Sequence, residues 1–134
     1  MSVVNCKVKY IRPKYKNLKE WMKDKNNVYI GRAGIVFIEN DTPDKNKERF
    51  PKVGSIFANP FKVAKDGTRE EVIKKYKEYI LDKLTTNITF QNEFQKLKGK
   101  NLGCWCHPEM CHGDVLLYLS NNFKIEEYFN GNCS

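Results

Sequence analysis

The chain has 134 residues, of which 24 are Lys or Arg and 16 are Asp or Glu, so its formal net charge at pH 7 is +8. This length suits one domain with an ordinary buried core, and we predict a single domain over residues 1–134. The sequence contains neither an apolar signal core near its start nor an apolar run of roughly 20 residues that could span a bilayer. We therefore expect a cytoplasmic protein with no membrane partner.

The positive charge favours polyanionic partners, because a field of this sign attracts phosphates at a rate that salt reduces. Residues 7–25 interleave Lys and Arg with Tyr10, Tyr15 and Trp21, and aromatic rings among cations can bind nucleic acid. The alternation of apolar and polar residues from Val4 onwards favours instead a half-buried strand. Nucleic acid stays as an alternative partner.

The first half of the chain predicts short strands around one short helix. Apolar residues at period two predict a strand over 3–11, and Leu18, Trp21 and Met22 mark one face of a helix. Strands are predicted over 28–30 and 35–38, the second as a third strand or as the continuation of a hairpin. Residues 39–52 have no periodicity and many turn formers, so they predict a mobile loop.

The second half predicts three helices and a buried strand. Thr68 and Glu71 have the spacing of a capping box, and the apolar face that follows contains Val72, Ile73, Tyr76, Ile80 and Leu84. A further helix is predicted from about Thr89 to Gly99, a strand over 102–106, and a last helix over 114–119. Strands that alternate with helices predict an α/β fold, here a small Rossmann-like domain of two or three layers with a mostly parallel sheet. The strand 102–106 lies inside that sheet, since no charge interrupts it.

The densest chemistry lies between residues 104 and 112, where three cysteines and two histidines fall at the junction of the last strand and the last helix. Ligands of open α/β sheets bind at such strand ends. The chain has five cysteines, an odd number, and we expect them to be reduced. Reduced, clustered thiols favour a metal site or a reactive thiol over a disulfide framework.

The first interpretation of this cluster is a zinc site. Zinc binds Cys sulfur and His nitrogen in a tetrahedral set, and the candidate ligands are Cys104, Cys106, Cys111 and His112. Structural zinc sites usually pair cysteines across a knuckle, whereas these ligands all fall within one strand, loop and helix. Zinc is therefore an alternative cofactor here, and the cofactor is otherwise unknown.

The second interpretation is a reactive thiol. A cysteine beside a helix start and an imidazolium has a lowered pKa, which favours the nucleophilic thiolate, and both Cys106 and Cys111 qualify by position. Cys106 and His112 have the spacing of the thiol phosphatase loop Cys-x5-Arg, but His replaces the Arg that would bind phosphate. Phosphatase chemistry is thus disfavoured, and Cys104 is best interpreted as a small apolar core residue.

The third interpretation is a phosphate site that needs no sulfur chemistry. The helix start at His112 and Gly113 presents backbone N–H groups that suit phosphate, and Arg32 follows a strand and could approach the same phosphate. Asn59, held extended before a proline, presents a donor and an acceptor to a base or sugar. His112 or Asp114 could then act in acid–base chemistry. Because each group lies at a strand end or turn, we expect one shared pocket.

An ordered series of motifs resembles one family of small proteins from phages, bacteria and giant viruses, the domain of unknown function 4326 family. The matching segments are Tyr29-Ile-Gly-Arg32, Phe57-Ala-Asn-Pro-Phe61, Gly67-Thr-Arg-Glu-Glu71, Leu102-Gly-Cys-Trp-Cys106 and Cys111-His-Gly-Asp-Val-Leu116. The resemblance covers residues 28 to about 119. It implies no particular activity, and it implies the host cytoplasm as the location if the protein is viral. Ala58 replaces a smaller family residue, and the loop 39–52 resembles an insertion.

Together these patterns predict a domain that binds a phosphorylated, nucleotide-like small molecule at its strand ends. Both a binding protein and an enzyme fit. The ligand-binding residues would be Arg32, Asn59, His112 and Gly113, and any catalytic residues would be Cys111, His112 and Asp114. The competing hypothesis is a non-catalytic nucleic-acid-associated protein whose Cys/His cluster is structural.

Overall fold

The computed structural model describes residues 2–39, 42–105 and 111–122, and it contains both helices and strands. The strands and helices in chain order are β1 (Ser2–Asn5), α1 (Val8–Ile11), α2 (Leu18–Lys23), β2 (Asn27–Tyr29), β3 (Val36–Glu39), β4 (Lys47–Phe50), α3 (Arg69–Thr86), α4 (Ile88–Gln95), β5 (Asn101–Cys104) and α5 (His112–Asn122). Within these residues no helix is both long and apolar enough to cross a membrane.

A three-stranded parallel sheet forms the centre of the fold, in the order β1-β5-β2. Leu102 of β5 is paired with Val3 on one side and with Val28 on the other, and its side chain is fully buried. The prediction that the last strand lies inside the sheet is therefore confirmed. The mixed α/β class with a small parallel sheet is also confirmed.

The two faces of the sheet contact different layers. Leu102 and Cys104 pack in a core with the buried residues of α3, α4 and α5. On the opposite face, a Cβ built on Gly103 would lie 2.4 Å from the Trp21 ring and 2.5 Å from Cys6 Sγ. Only glycine fits there, because α2 packs directly on the backbone of β5. Both faces of the central strand are covered, as its uninterrupted apolar sequence predicts.

The helix α3 begins with the predicted capping box. Thr68 Oγ1 accepts a hydrogen bond from the backbone N–H of Glu71, and the Glu71 side chain accepts one from the backbone N–H of Thr68. Its buried residues are Val72, Tyr76, Ile80 and Leu84, spaced as predicted. The segment after α4 ends at Gly99 with φ of +81°, a left-handed conformation that glycine adopts without steric cost.

The predicted strand over residues 3–11 is wrong beyond Asn5. The Asn5 side chain accepts a hydrogen bond from the backbone N–H of Lys7 at 3.0 Å, and this local turn ends the strand. The chain then forms the one-turn helix α1, which leaves Val8 and Tyr10 exposed. A local side-chain hydrogen bond thus overrides the period-two pattern.

The prediction of a loop over 39–52 is wrong for residues 47–50. These residues form β4, which pairs antiparallel with β3 in the register Val36 to Phe50 and Ile38 to Glu48. The half-buried side chains of Val36, Ile38 and Phe50 pack on the core around Trp21. Residues 36–39 therefore form a third strand, as one of the two alternatives predicts, but this strand pairs with β4 and not with β2.

Candidate functional site

A cavity of about 380 Å³ lies at the carboxyl edge of the parallel sheet. Gly31 and Arg32 follow β2, Trp105 follows β5, and His112 begins α5, so the strand ends bring these residues to one edge. The lining residues are Gly31, Arg32, Ile35, Asn59, Phe61, Lys62, Val63, Arg69, Val72, Ile73, Trp105, Cys111 and His112. Four residues selected from the sequence, Arg32, Asn59, Cys111 and His112, therefore share one cavity.

Arg32 connects the end of β2 to the turn that contains Asn59. Its Nε and Nη2 donate hydrogen bonds to the backbone carbonyl oxygen of Asn59 at 3.0 and 2.7 Å, and Nη2 also donates to the carbonyl of Phe61 at 3.1 Å. The Tyr29 hydroxyl donates in turn to the carbonyl of Arg32 at 2.8 Å. The guanidinium thus shapes the wall of the cavity and contributes a positive charge to it.

Asn59 uses its side-chain oxygen to hold its own turn. Oδ1 accepts a hydrogen bond from the backbone N–H of Phe61 at 2.9 Å, an Asx turn. The segment that contains Asn59 is held against α3, because the buried Tyr76 hydroxyl donates a hydrogen bond to the carbonyl of Phe57 at 2.6 Å. The sequence predicts that the Asn59 side chain offers a ligand one donor and one acceptor. The acceptor, Oδ1, is already bonded within the turn.

His112 is a half-buried, neutral imidazole at the start of α5. Its Nε2 lies 2.6 Å from the carbonyl oxygen of Ile30, and its ring meets the Tyr76 ring edge to face at 5.2 Å. Burial lowers the pKa of His112, and the nearby positive charge of Arg32 acts in the same direction. A carbonyl oxygen can only accept, so Nε2 carries the proton and Nδ1 is the acceptor of the neutral ring.

Cys111 and Cys104 form a buried pair of thiols. Their sulfur atoms lie 3.1 Å apart, and both side chains are excluded from solvent. The contact with Cys104 and the burial raise the pKa of Cys111, and burial raises the pKa of Cys6 on the other face of the sheet to about 12. This direction is opposite to the lowered pKa expected from the helix start and the adjacent imidazole. The environment therefore favours the protonated thiol, which is the weaker nucleophile.

Two backbone N–H groups at the start of α5 point at side chains of the same turn. Asp114 Oδ2 accepts from the backbone N–H of Cys111 at 2.9 Å, and the N–H of Gly113 points at Cys111 Sγ, 3.3 Å away. Gly113 is buried, and a Cβ there would lie 3.0 Å from the Ile30 side chain. These contacts give Gly113 and Asp114 structural roles, and neither is among the residues that line the cavity.

The zinc hypothesis depends in part on a residue that lies outside the described residues. Cys106 is in the segment 106–110, while Cys104, Cys111 and His112 are described. Among the residues that the structure describes, no three His, Cys, Asp or Glu side chains are arranged to hold a metal ion. The four-ligand set stays a prediction.

Sequence reasoning missed two cations of the cavity, Lys62 and Arg69. Lys62 is one of 20 lysines, so its type carries no signal. Arginine is rare in this chain, with four among the 24 basic residues, and this rarity was a weak reason to select Arg69 from the sequence. Two of the four arginines, Arg32 and Arg69, line the cavity. The apolar wall formed by Ile35, Phe61 and Trp105 was also missed as part of the site.

Comparisons with known proteins agree with the resemblance and extend it. The family described as Domain of unknown function (DUF4326) matches residues 14–122, a longer segment than the motifs cover. The chain is 31% identical over 74 residues to the "Uncharacterized 12.4 kDa protein in nrdA-td intergenic region" of Enterobacteria phage T4, which is 51% of this chain and 68% of that protein. It is 33% identical over 82 residues to an uncharacterised protein of Acanthamoeba polyphaga mimivirus, which is 55% of this chain and 58% of that protein.

No solved structure matches this chain. The family match covers most of the 134 residues, and it includes every strand and helix of the described fold except β1 and α1. The chain belongs to the family of domain of unknown function DUF4326.

Proposed function

We propose that this domain binds a phosphorylated, nucleotide-like small molecule in the cavity at the carboxyl edge of its sheet. The observation that carries the proposal is the composition of the lining. Arg32, Lys62 and Arg69 supply three positive charges, and no carboxylate is among the described residues of the wall. A wall that carries positive charge and no carboxylate of its own attracts an anion, and phosphate suits the planar Arg fork.

The size and the apolar part of the cavity support a ligand with a ring. A volume of about 380 Å³ falls within the usual range for small-molecule sites. Phe61 and Trp105 offer aromatic surface to a base. The Trp105 indole is fixed, because its Nε1 donates a hydrogen bond to the Tyr29 hydroxyl at 2.9 Å.

The hydrogen bonds in the cavity change the ligand-binding roles that the sequence suggests for its residues. Arg32, Lys62 and Arg69 are the proposed phosphate ligands, because all three line the cavity. The hydrogen bonds of Arg32 to Asn59 and Phe61 give Arg32 a second, positioning role. The neutral His112 offers Nδ1 as an acceptor, which suits a sugar hydroxyl. Cys111 also lines the cavity, and its raised pKa favours the protonated thiol.

The place of the cavity in the fold also supports the proposal. Doubly wound α/β domains bind ligands outside the carboxyl ends of parallel strands. The ends of β2 and β5 have this position here. A Rossmann-like character for the whole domain remains part of the proposal.

Thermal-shift titration tests this function. Nucleoside monophosphates, sugar phosphates and inorganic phosphate are added separately, and a ligand at 100 times its Kd should stabilise the fold by about 2.7 kcal/mol. Lys62→Ala should weaken the response, while Lys65→Ala is the matched control, an exposed lysine of the same segment outside the cavity lining. An equal response of both variants and the wild type would contradict the proposed site.

A further inference from the structure

A second, larger cavity of about 600 Å³ lies between α2 and β3. Its lining is strongly basic, with six cations against two carboxylates, Glu20 and Glu39, among the described residues. The cations are Arg12, Lys16, Lys19, Lys23, Lys45 and Lys47. We call this surface the basic groove.

The basic groove and the candidate site are neighbours. Trp105 lines both cavities, and the chain passes from one to the other where β3 begins, because Ile35, just before β3, lines the candidate site while Val36 and Phe37 of β3 line the groove. A ligand long enough to pass Trp105 would therefore contact both surfaces. A mononucleotide in the candidate site would leave the groove unused.

An exposed aromatic ring accompanies the positive charge of the groove. The Phe37 side chain is 61% exposed, although it is an apolar residue, and the Arg49 guanidinium lies 5.0 Å from its ring centroid. Surfaces that bind single-stranded nucleic acid typically combine two features: cations along the path of the sugar-phosphate backbone, and aromatic rings on which bases stack. A purely polyanionic ligand would make no use of Phe37.

We propose that the ligand of the candidate site is the terminal nucleotide of a single-stranded nucleic acid, whose adjoining phosphates lie along the basic groove. This inference rests on the proposed function. It specifies that function further, because the chain would bind an oligonucleotide end in preference to a free mononucleotide.

The test compares three ligands on the intact chain at low salt. These are a nucleoside monophosphate, single-stranded DNA and RNA of about eight nucleotides, and inorganic polyphosphate as a polyanion without bases. An oligonucleotide should bind at least about tenfold more tightly than the mononucleotide. Each phosphate bound in the groove should add about −0.7 to the slope of log K against log salt.

Variants separate the two surfaces. The triple variant Lys16→Gln, Lys23→Gln and Lys47→Gln should weaken oligonucleotide binding by at least about tenfold and leave mononucleotide binding unchanged. A matched triple variant, Lys74→Gln, Lys77→Gln and Lys98→Gln, removes the same charge from exposed positions outside both cavities and should bind like the wild type. Phe37→Leu should weaken oligonucleotides by about fivefold or more and polyphosphate not at all.

The outcomes also separate this inference from the proposed function. If mononucleotides bind in the candidate site but oligonucleotides bind no more tightly, the inference is overturned and the proposed function stands. Polyphosphate that binds as tightly as oligonucleotides, or a groove variant that binds oligonucleotides like the wild type, also overturns it. If mononucleotides fail to bind and Lys62→Ala leaves oligonucleotide binding unchanged, both proposals fail.

Discussion

The guanidinium of Arg32 donates two hydrogen bonds to one atom, the backbone carbonyl oxygen of Asn59, from Nε at 3.0 Å and from Nη2 at 2.7 Å. This contact joins the end of β2 to a turn 27 residues further along the chain. Both residues were selected from the sequence as ligand contacts. Their contact with each other shows that Arg32 also positions the wall of the cavity.

Replacing Arg32 with Lys should lower the stability of the fold although the charge is kept. Lys cannot supply the planar fork that bonds the carbonyls of Asn59 and Phe61. We expect a loss of about 1–3 kcal/mol in the free energy of unfolding. Urea denaturation should show a lower midpoint at an unchanged m-value.

The matched control for this variant is Arg49→Lys. Arg49 donates to one carbonyl, that of Gly34 at 3.2 Å, in an exposed position. Its replacement should change the free energy of unfolding by less than about 0.5 kcal/mol. Equal effects of the two variants would contradict a special role for the Arg32 fork.

Tyr76→Phe should destabilise the segment that carries Asn59. The Tyr76 hydroxyl is fully buried and donates to the carbonyl of Phe57, so the variant leaves that carbonyl without its donor. We expect a loss of about 1–3 kcal/mol in the free energy of unfolding. Tyr118→Phe, at a side chain that is 54% exposed, is the control and should have almost no effect.

Stability should fall as the pH is lowered through the ordinary pKa of histidine, about 6.5. Burial lowers the pKa of His112 in the folded state, so below this pH the unfolded chain binds more protons than the folded one. The contribution of the neutral His112 side chain to stability is fully present above pH 6.5 and is lost on acidification. The pKa values of Asp24 and Glu71 are also lowered, but those carboxyls titrate at more acidic pH.

The measurement is the free energy of unfolding between pH 7.5 and pH 5.5 for the wild type and for His112→Gln. Gln keeps an N–H donor that can reach the carbonyl of Ile30 but does not titrate. The variant should show a flatter dependence on pH across this range. Parallel curves for the two proteins would mean that protonation of His112 carries no part of the effect.

Gly103→Ala should disrupt the packing of α2 on the central strand. The added Cβ would lie 2.4 Å from the Trp21 ring and 2.5 Å from Cys6 Sγ, and both groups are buried. We expect a destabilisation of about 1–3 kcal/mol from overpacking, measured by urea denaturation. Gly99→Asn is the control, because nothing lies within 4 Å there and Asn tolerates the left-handed backbone.

Local signals predicted the described helices other than α1. The capping box at Thr68 and the apolar residues at helical spacing located α3, because both depend on neighbours within one or two turns. The absence of charge from residues 102–106 predicted that the last strand lies in the sheet interior, where the structure has β5. Pairing partners far along the chain were harder to predict: β4 has the sequence Lys-Glu-Arg-Phe, and it forms a strand because β3 pairs with it.

The candidate site was also predicted only in part from the sequence. The sequence predicted that Arg32, Asn59 and His112 would lie together, since strand ends of a parallel sheet share one edge, and all three line one cavity. It did not reveal the contact between Cys104 and Cys111, which raises the pKa of a thiol expected to be reactive. A pKa depends on burial and on neighbours across the fold, and a single sequence contains neither directly.

The most direct test of the proposed site is an NMR titration of the ¹⁵N-labelled chain with a nucleoside monophosphate. The signals to follow are the backbone amides of Gly31, Lys62 and Val63, the Nε–H of Arg32 and the indole N–H of Trp105. We predict that these signals shift together with one Kd and that the amides of the exposed face of α3 do not move. Saturable shifts confined to residues outside the cavity, or no shifts at millimolar ligand, would contradict the proposed site.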